Sequence, residues 1–145
     1  MSVSSFTNPA PDEVLTFLKG VQRIAVVGLS PQQHRPSHQI ARVLQRHGFQ
    51  IVPVRPGVAE ILGEQAYSAL DQVPGKIDLV DVFRAAEHVP AIVDQALALG
   101  IPGIWLQDGV IAPAAAQRAA SGGMFVVMDD CLGRFLRRHG RPGPA

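Results

Sequence analysis

The stretch Ile24–Ser37, which reads IAVVGLSPQQHRPS, constrains the fold more than any other part of the sequence. Its first five residues, Ile24–Gly28, form a short apolar run that ends in glycine, which is typical of a strand buried on both faces of a parallel sheet. A polar loop follows, and Ser37 is predicted to cap a helix over His38–His47. A strand, a glycine turn and a capped helix in this order form the entry unit of a nucleotide-binding βαβ fold.

The loop and helix after this first strand predict an anion-binding site. Free N–H groups at the start of the helix converge on one point, and the helix dipole favours negative charge there. Arg35, two residues before Ser37, adds a guanidinium group that is suited to phosphate. The stretch lacks the GxGxxG fingerprint of dinucleotide-binding folds, so an ordinary strand–helix turn is an equally good interpretation of this stretch alone.

Short apolar runs and amphipathic helical segments alternate along the rest of the chain. This alternation predicts an α/β protein with a three-layer Rossmann-like fold around a five-stranded parallel sheet. With the strands numbered along the chain, we expect the order 3-2-1-4-5 and a topological switch point between the first and fourth strands. The other predicted strands are Gln50–Val54, Ile77–Phe83, Gly103–Gln107 and Met124–Met128, and the other predicted helices are Asn8–Gly20, Glu87–Leu99, Pro113–Ser121 and Leu132–Arg138.

Arg55, directly after the second predicted strand, bears on the class of ligand. In NAD-binding Rossmann domains an acidic residue near this point binds the ribose 2′-hydroxyl group. An arginine here argues against NAD and favours a ligand with an additional phosphate near the ribose, such as NADP or coenzyme A. The alternative interpretation is a solvated loop arginine without a ligand.

Length, charge and cysteine content exclude several classes of protein. The 145 residues predict one domain over 1–145, with an N-terminal helix over 8–20, a core over 21–131 and a basic C-terminal tail over 132–145. The formal net charge of +1 provides no field that would attract nucleic acid or membrane. The single cysteine, Cys131, cannot form an internal disulfide, and the sequence around it does not have the ligand spacing of a zinc site. Without a signal peptide or an apolar run of about 20 residues, we expect a cytoplasmic protein.

The candidate catalytic side chains do not form a catalytic arrangement in the sequence. His34 and His38 flank the proposed phosphate loop, where a histidine more often forms a hydrogen bond or faces water than takes part in catalysis. Neighbouring carboxylates raise the pKa of a thiol, and Cys131 follows two aspartates. Asp81 lies inside an apolar strand and needs a partner if it is buried. We therefore predict no catalytic residue, no metal site and no enzymatic activity.

Several short motifs, taken in order and spacing, resemble the small stand-alone CoA-binding proteins. The fold of that family is similar to the nucleotide-binding domain of the succinyl-CoA synthetase α subunit, and the resemblance covers Val21 to Cys131. The motifs are VVGLS at 26–30, RPS at 35–37, VPVRPG at 52–57, ILGEQAY at 61–67, DLVDVFR at 78–84, VP at 89–90, WLQDGV at 105–110 and VMDDC at 127–131.

The resemblance implies a bound coenzyme A or acyl-CoA and no established catalytic step. It implies a pyrophosphate site around the residues that follow the first strand, and an adenosine end around those that follow the second and third strands. Family members often carry asparagine where Arg55 stands, and the run LGRFLRRHG after Cys131 departs from the family pattern. The implied pyrophosphate site is Gly28, Ser30, Arg35, Pro36 and Ser37; the implied adenosine end is Val54, Arg55 and Pro56, with Phe83 and Arg84 beside it; Leu29 and Gln107 complete the predicted cofactor-binding set.

Two other functions remain open at the level of the sequence. One is an NADP-dependent oxidoreductase, against which the missing glycine fingerprint and the lack of a substrate domain count. The other is an interaction protein with a vestigial nucleotide pocket. A homo-oligomer or an unknown protein partner is compatible with each of the three interpretations.

Overall fold

The computed structural model of the chain describes residues 6–143. Five parallel strands form one sheet. A separate hairpin of two short antiparallel strands follows the second of these strands along the chain and precedes the third. The strands are β1 Arg23–Val27, β2 Gln50–Val54, β3 Glu60–Ile61, β4 Glu64–Gln65, β5 Leu79–Val82, β6 Gly103–Leu106 and β7 Phe125–Val127. The helices are α1 Pro11–Leu18, α2 Pro36–Arg46, α3 Val89–Ala98, α4 Pro113–Ser121 and α5 Leu132–His139, with 3-10 turns at Leu70–Gln72 and Ala86–His88.

The order of the strands in the sheet is β2-β1-β5-β6-β7. The predicted Rossmann-like five-stranded parallel sheet is confirmed, but the predicted order 3-2-1-4-5 is wrong, because β5, the third strand along the chain, pairs with β1. Residue Tyr67 occupies the outer edge of β2, where its N–H donates to the carbonyl of Pro53 (3.0 Å) and its carbonyl accepts from Arg55 (2.7 Å). The chain therefore crosses back to β1, and the switch point lies between β1 and β5.

Helices cover both faces of the sheet and enclose two core clusters. Alternate side chains of each strand face opposite ways, so Val27 and Val82 pack towards α3 and α4, whereas Val26 and Leu79 pack towards α1, α2 and α5. We refer to these as the α3/α4 core cluster and the α1/α2/α5 core cluster. The sheet is buried on both faces, as β1 was predicted to be, which leaves the ends of the strands as the part of the sheet that loops and ligands can reach.

The start of α2 differs from the prediction. The helix begins at Pro36 with Arg35 as its N-cap residue, so the prediction that Ser37 caps a helix starting at His38 is wrong. Proline suits the first helical position because its ring fixes φ and its missing N–H would lack an intrahelical partner there anyway. Ser37 lies in the first turn instead, and its hydroxyl binds the loop that precedes the helix.

The segment after β7 packs into the α1/α2/α5 core cluster. Leu132, Phe135 and Leu136 of α5 are buried in this cluster, and the indole N–H of Trp105 donates to the carbonyl of Asp130 at 2.8 Å. Beyond α5, the guanidinium of Arg141 lies over the ring of Phe49. Between residues 6 and 143, no helix has the length and apolar character needed to cross a bilayer.

Candidate functional site

A cleft of about 560 Å³ lies at the carboxyl ends of β1, β5 and β6. It is centred on the observed switch point, which is where open α/β sheets bind ligands. All the predicted cofactor-binding residues line it except Leu29, Val54 and Pro56. The lining consists of Gly28, Ser30, Gln32, Arg35, Pro36, Ser37, Arg55, Phe83, Arg84, Ala85, Gln107, Asp108, Gly109 and Val110.

Gly28 brings the loops after β1 and β5 into direct contact. Its φ is +88°, in the left-handed region that favours glycine, and its N–H donates to the carbonyl of Val54 at 3.0 Å. A Cβ at this position would lie 2.6 Å from the carbonyl oxygen of Phe83 and 2.9 Å from Cδ of Arg84. The glycine is therefore required by both its backbone conformation and the space around it.

The loop after Gly28 is fixed to the first turn of α2 by three hydrogen bonds. The N–H of Ser30 donates to Oγ of Ser37 at 2.9 Å, and Nδ1 of His38 lies 2.9 Å from the carbonyl oxygen of Ser30. The N–H of Gln32 donates to Oγ of Ser30 at 3.1 Å. Because His38 is buried and engaged with the loop, it has the structural role that the sequence suggested.

Three arginines line the cleft, and none of them forms an ion pair among residues 6–143. Arg35 and Arg84 are exposed, and Arg55 is half-buried with one long contact, 3.5 Å, to the carbonyl of Leu29. No side chain caps the first turn of α2, which lies beside Arg35. The cleft thus combines three cationic side chains with the positive end of a helix dipole.

Asp108 is the acidic residue of the lining, and its charge is paired outside the cleft. Both of its carboxylate oxygens accept from Arg134, each at 2.9 Å. The hydrogen bond from Arg134 lowers the pKa of Asp108. The carboxylate of Asp130 accepts from the same guanidinium at 2.8 Å. The lining therefore presents a net positive potential.

Gln107 and Asp81 form a buried pair under the cleft. Gln107 is 4% exposed, and its Nε2 donates to Oδ1 of Asp81 at 2.6 Å. Asp81 is fully buried, as its place in an apolar strand suggested, and burial raises its pKa to about 7 although the Gln107 hydrogen bond acts in the opposite direction. Within residues 6–143, Oδ2 of Asp81 is the buried side-chain oxygen or nitrogen that lacks a partner.

Three of the predicted residues lie outside this cleft. Leu29 is fully buried in the α1/α2/α5 core cluster. Val54 and Pro56 line an adjoining pocket of about 370 Å³, which shares Gly28, Arg55 and Arg84 with the cleft. The predicted adenosine end therefore lies beside the main cleft and is continuous with it.

Five lining residues were missed by the sequence analysis. Three of them, Asp108–Val110, follow β6 directly, and Gln107 before them was the last predicted residue on that side. The other two lie within two positions of predicted residues in the loops after β1 and β5. The signal that could have found all five is a place within three positions of a predicted residue in the same loop. They are Gln32, Ala85, Asp108, Gly109 and Val110.

The remaining candidates for chemistry are not in the cleft. Cys131 is buried as the N-cap residue of α5, where its sulfur accepts from the N–H of Arg134 at 3.4 Å. His34 is exposed and does not line the cleft. Across residues 6–143, no group of three or more histidine, cysteine, aspartate or glutamate side chains is arranged to hold a metal ion.

Comparison with known proteins places these features in a family. A family model described as a CoA binding domain matches residues 22–137. The uncharacterized protein YneT of Bacillus subtilis is 38% identical over 125 residues, which cover 86% of this chain and 93% of YneT. A hypothetical protein from Pyrococcus horikoshii OT3, of known structure, superposes with a TM-score of 0.86 at 27% identity, covering 94% of this chain and 98% of that one.

A larger enzyme contains a similar segment. Acetate–CoA ligase [ADP-forming] I of Archaeoglobus fulgidus is 31% identical over 72 residues, which are 50% of this chain but 10% of the ligase. The match therefore concerns a small part of that enzyme. Taken with the family model, which spans most of the Rossmann-like fold described above, it leads to one conclusion: this chain belongs to the CoA-binding domain family.

Proposed function

We propose that this protein binds coenzyme A, free or acylated, in the cleft at the carboxyl ends of β1, β5 and β6. The observation that carries the proposal is the set of three arginines, Arg35, Arg55 and Arg84, which line the cleft without a carboxylate partner among residues 6–143. Guanidinium groups bind phosphate through paired hydrogen bonds. Coenzyme A carries both a pyrophosphate and a 3′-phosphate, so its charge matches that of the lining.

In this proposal the pyrophosphate lies at the first turn of α2. The loop from Gly28 to Ser30 is already fixed to Ser37, so the backbone around the phosphate is ordered before the ligand arrives. Arg35 precedes Pro36 with extended backbone, φ −75° and ψ 143°, which limits the directions that its guanidinium can take. A helix N-terminus without a side-chain cap is an established type of anion site.

The chemical character of the two ends of the cleft indicates which end of the ligand each would bind. Arg55 and Arg84, with the adjoining pocket at Val54 and Pro56, suit the adenosine 3′-phosphate. The opposite wall, Gln107–Val110, carries the buried amide of Gln107 and the apolar side chain of Val110. This wall suits the uncharged pantetheine arm.

We further propose that the site binds its ligand without transforming it. A catalytic site needs a nucleophile or a proton-transfer group at the ligand. His34 is exposed and does not line the cleft, and His38 is engaged with Ser30. Cys131 is buried outside the cleft. A lone buried thiol and a CoA ligand also fit a cytoplasmic location.

NADP binding is the second candidate, because Arg55 suits a ribose 2′-phosphate as well as a 3′-phosphate. A panel of ligands separates the two. Thermal unfolding with CoA, dephospho-CoA, NADP and NADH, each in excess, should give the largest stabilisation with CoA. At a hundred times Kd the expected gain is about 2.7 kcal/mol. Dephospho-CoA should give less, since it lacks the 3′-phosphate, and NADH should give little.

Native mass spectrometry of the gently purified protein provides an independent check, with a CoA-sized adduct as the expected result. Equal stabilisation by NADH and CoA would contradict the choice of ligand. Stabilisation by NADP alone would favour the oxidoreductase.

A further inference from the structure

Asp81 and Gln107 form a buried polar contact beneath the cleft, inside an otherwise apolar part of the sheet. Asp81 lies in β5 between Val26 of β1 and Trp105 of β6, which are its register partners and carry no charge. Its burial without a cation is unfavourable, and Oδ2 has no partner within residues 6–143. An apolar side chain would fill this strand position without that penalty. The contact that the carboxylate does make is to Gln107.

That contact fixes which end of the Gln107 amide is available to a ligand. An ionised carboxylate only accepts hydrogen bonds, so the NH₂ group of Gln107 must face it. The amide oxygen then remains for the cleft that Gln107 lines. The three arginines of the lining are donors, and the carboxylate of Asp108 is paired with Arg134. The other amide side chain of the lining, Gln32, is exposed on the loop after β1 and has no buried carboxylate beneath it.

We infer that Asp81 is a positioning residue that turns the amide oxygen of Gln107 into the cleft, where it accepts a hydrogen bond from an amide N–H of the pantetheine arm. The arm carries two secondary amides, and the nucleotide part of coenzyme A carries none. The pair therefore makes the site selective for the whole cofactor over its nucleotide part. This inference rests on the proposed CoA binding.

The experiment compares coenzyme A with adenosine 3′-phosphate 5′-diphosphate, which has the same nucleotide with a free terminal phosphate in place of the arm. Calorimetric titration of both ligands gives an affinity ratio for each variant. Gln107→Leu should lower the CoA affinity about 2- to 12-fold, the range expected for one neutral hydrogen bond. It should leave the affinity for the nucleotide unchanged, because the phosphate contacts lie elsewhere in the cleft.

Asp81→Asn should lower the ratio by about twofold or more, because asparagine both donates and accepts and so no longer fixes the amide. In the Gln107→Leu background, Asp81→Asn should add no further loss. Asp78→Asn is the matched control. Asp78 precedes the same strand at its opposite end, where it accepts from the N–H groups of Gln22 and Arg23, so its replacement should alter neither affinity.

The pH dependence of the ratio gives a readout that a purely structural role of Asp81 would not produce. Protonated Asp81 donates to the amide oxygen and turns the amide around, so the wild-type ratio should fall between about pH 8 and about pH 6 towards that of Gln107→Leu. No ionised group contributes to the titration of Asp81, whose pKa reflects burial and Gln107. The 3′-phosphate is common to both ligands, and the free terminal phosphate of the nucleotide titrates in the same way for wild type and Gln107→Leu, so the wild-type ratio is compared with the Gln107→Leu ratio at each pH.

The outcomes separate this inference from the proposed function. A Gln107→Leu ratio equal to wild type, or a difference between these two ratios that does not vary with pH, overturns the inference while CoA binding stands. Equal losses for both ligands in Asp81→Asn would show a structural role only. If the wild type binds neither ligand, the proposed function fails together with the inference. Should Asp81→Asn not fold, the Gln107 variant and the wild-type pH series still decide.

Discussion

The loops that follow β1 and β6 line the same cleft but are held in place in opposite ways. The loop after β1 is fixed by Ser37 and His38, which lie in the helix directly after it and bind the loop without a carboxylate or an arginine. The loop after β6 is fixed by charged groups from a distant segment: Asp108 is bound by Arg134, and the N–H of Gly109 donates to Asp129 at 2.8 Å.

The difference determines which charges are left for a ligand. Arg134 donates to two carboxylates, whereas Arg35 has no carboxylate partner among residues 6–143. The hydrogen bonds that fix the β1 loop do not involve the side chain of Arg35, so its charge remains available to a ligand. The β6 loop is fixed through the carboxylate of Asp108, whose charge is thereby paired with Arg134. In the proposed complex, the anion would therefore bind on the β1 side, and the β6 side would contribute uncharged contacts.

Replacing Gly28 should give the largest effect, because it disturbs the turn on which the β1 loop depends. In Gly28→Ala the new Cβ meets the carbonyl of Phe83 in a left-handed conformation. We expect a loss of unfolding free energy of about 2–4 kcal/mol and more than about 100-fold weaker CoA binding. Urea denaturation and calorimetric titration measure the two effects.

Gly57→Ala is the matched control for that substitution. Gly57 also has a positive φ, but no atom lies within 4 Å of the place that a Cβ would take there. The variant should lose about 1 kcal/mol from backbone strain and keep its CoA affinity. Identical behaviour of the two variants would contradict the role assigned to the turn.

The buried carboxyl group of Asp81 should make stability depend on pH. Its pKa is about 7 in the folded protein against 3.8 for the ordinary group. Between these values the folded state holds a proton that the unfolded chain has released, so the contribution of Asp81 falls as pH rises through this window and is lost above it. The total change is on the order of a few kcal/mol.

The difference in unfolding free energy between wild type and Asp81→Asn, measured in urea from about pH 4 to about pH 8, isolates this contribution. As the pH rises, the unfolding free energy of the wild type should decrease relative to that of Asp81→Asn. A difference that does not vary with pH would show that the group is not titrating in this range.

Arg35→Ala tests the β1 side of the comparison. Hydrogen bonds to charged groups contribute roughly 1.5–3 kcal/mol, so CoA affinity should fall about 10- to 150-fold with little change in stability. Arg35→Lys should recover part of the affinity, because an ammonium group cannot form the planar paired contact. Arg42→Ala, which replaces an exposed arginine of the same helix outside the cleft, should bind CoA like wild type. Equal affinities for Arg35→Ala and Arg42→Ala would place the phosphate elsewhere.

Arg134→Gln tests the β6 side and should give the smallest effect. The ion pairs of Arg134 are largely exposed, with 43% of its side chain accessible, so stability should fall by no more than about 1 kcal/mol. The unpaired carboxylate of Asp108 would then repel the ligand phosphates and weaken CoA binding about 2- to 5-fold. Adding Asp108→Asn should restore the affinity, and failure to restore it would contradict the electrostatic explanation.

The features that the sequence predicted correctly are local ones. β1, the glycine turn and the arginine before α2 follow from residues close together in the chain, and so do most of the cleft residues. The N-cap prediction failed at Ser37 because Pro36 is itself well suited to the first helical position. The sequence pattern used for the prediction, a polar residue before the apolar residues of a helix, is satisfied by both Arg35 and Ser37 and therefore could not identify the N-cap residue.

The features that the sequence missed depend on contacts between distant residues. The strand order was wrong because Tyr67 pairs with the edge of β2, which no pattern within either segment reveals. The predicted switch point, between the first and fourth strands, was therefore one strand away from the observed one between β1 and β5. The pairing of Asp108 with Arg134 likewise joins residues 26 positions apart.

The structure of the complex with coenzyme A tests the central claim most directly. A crystal of the protein grown with the cofactor should show the pyrophosphate at the first turn of α2, within hydrogen-bond distance of the Arg35 guanidinium. The nucleotide should extend towards Arg55 and the pantetheine arm towards Gln107. A pyrophosphate bound away from α2, or an ordered cofactor outside this cleft, would contradict the account.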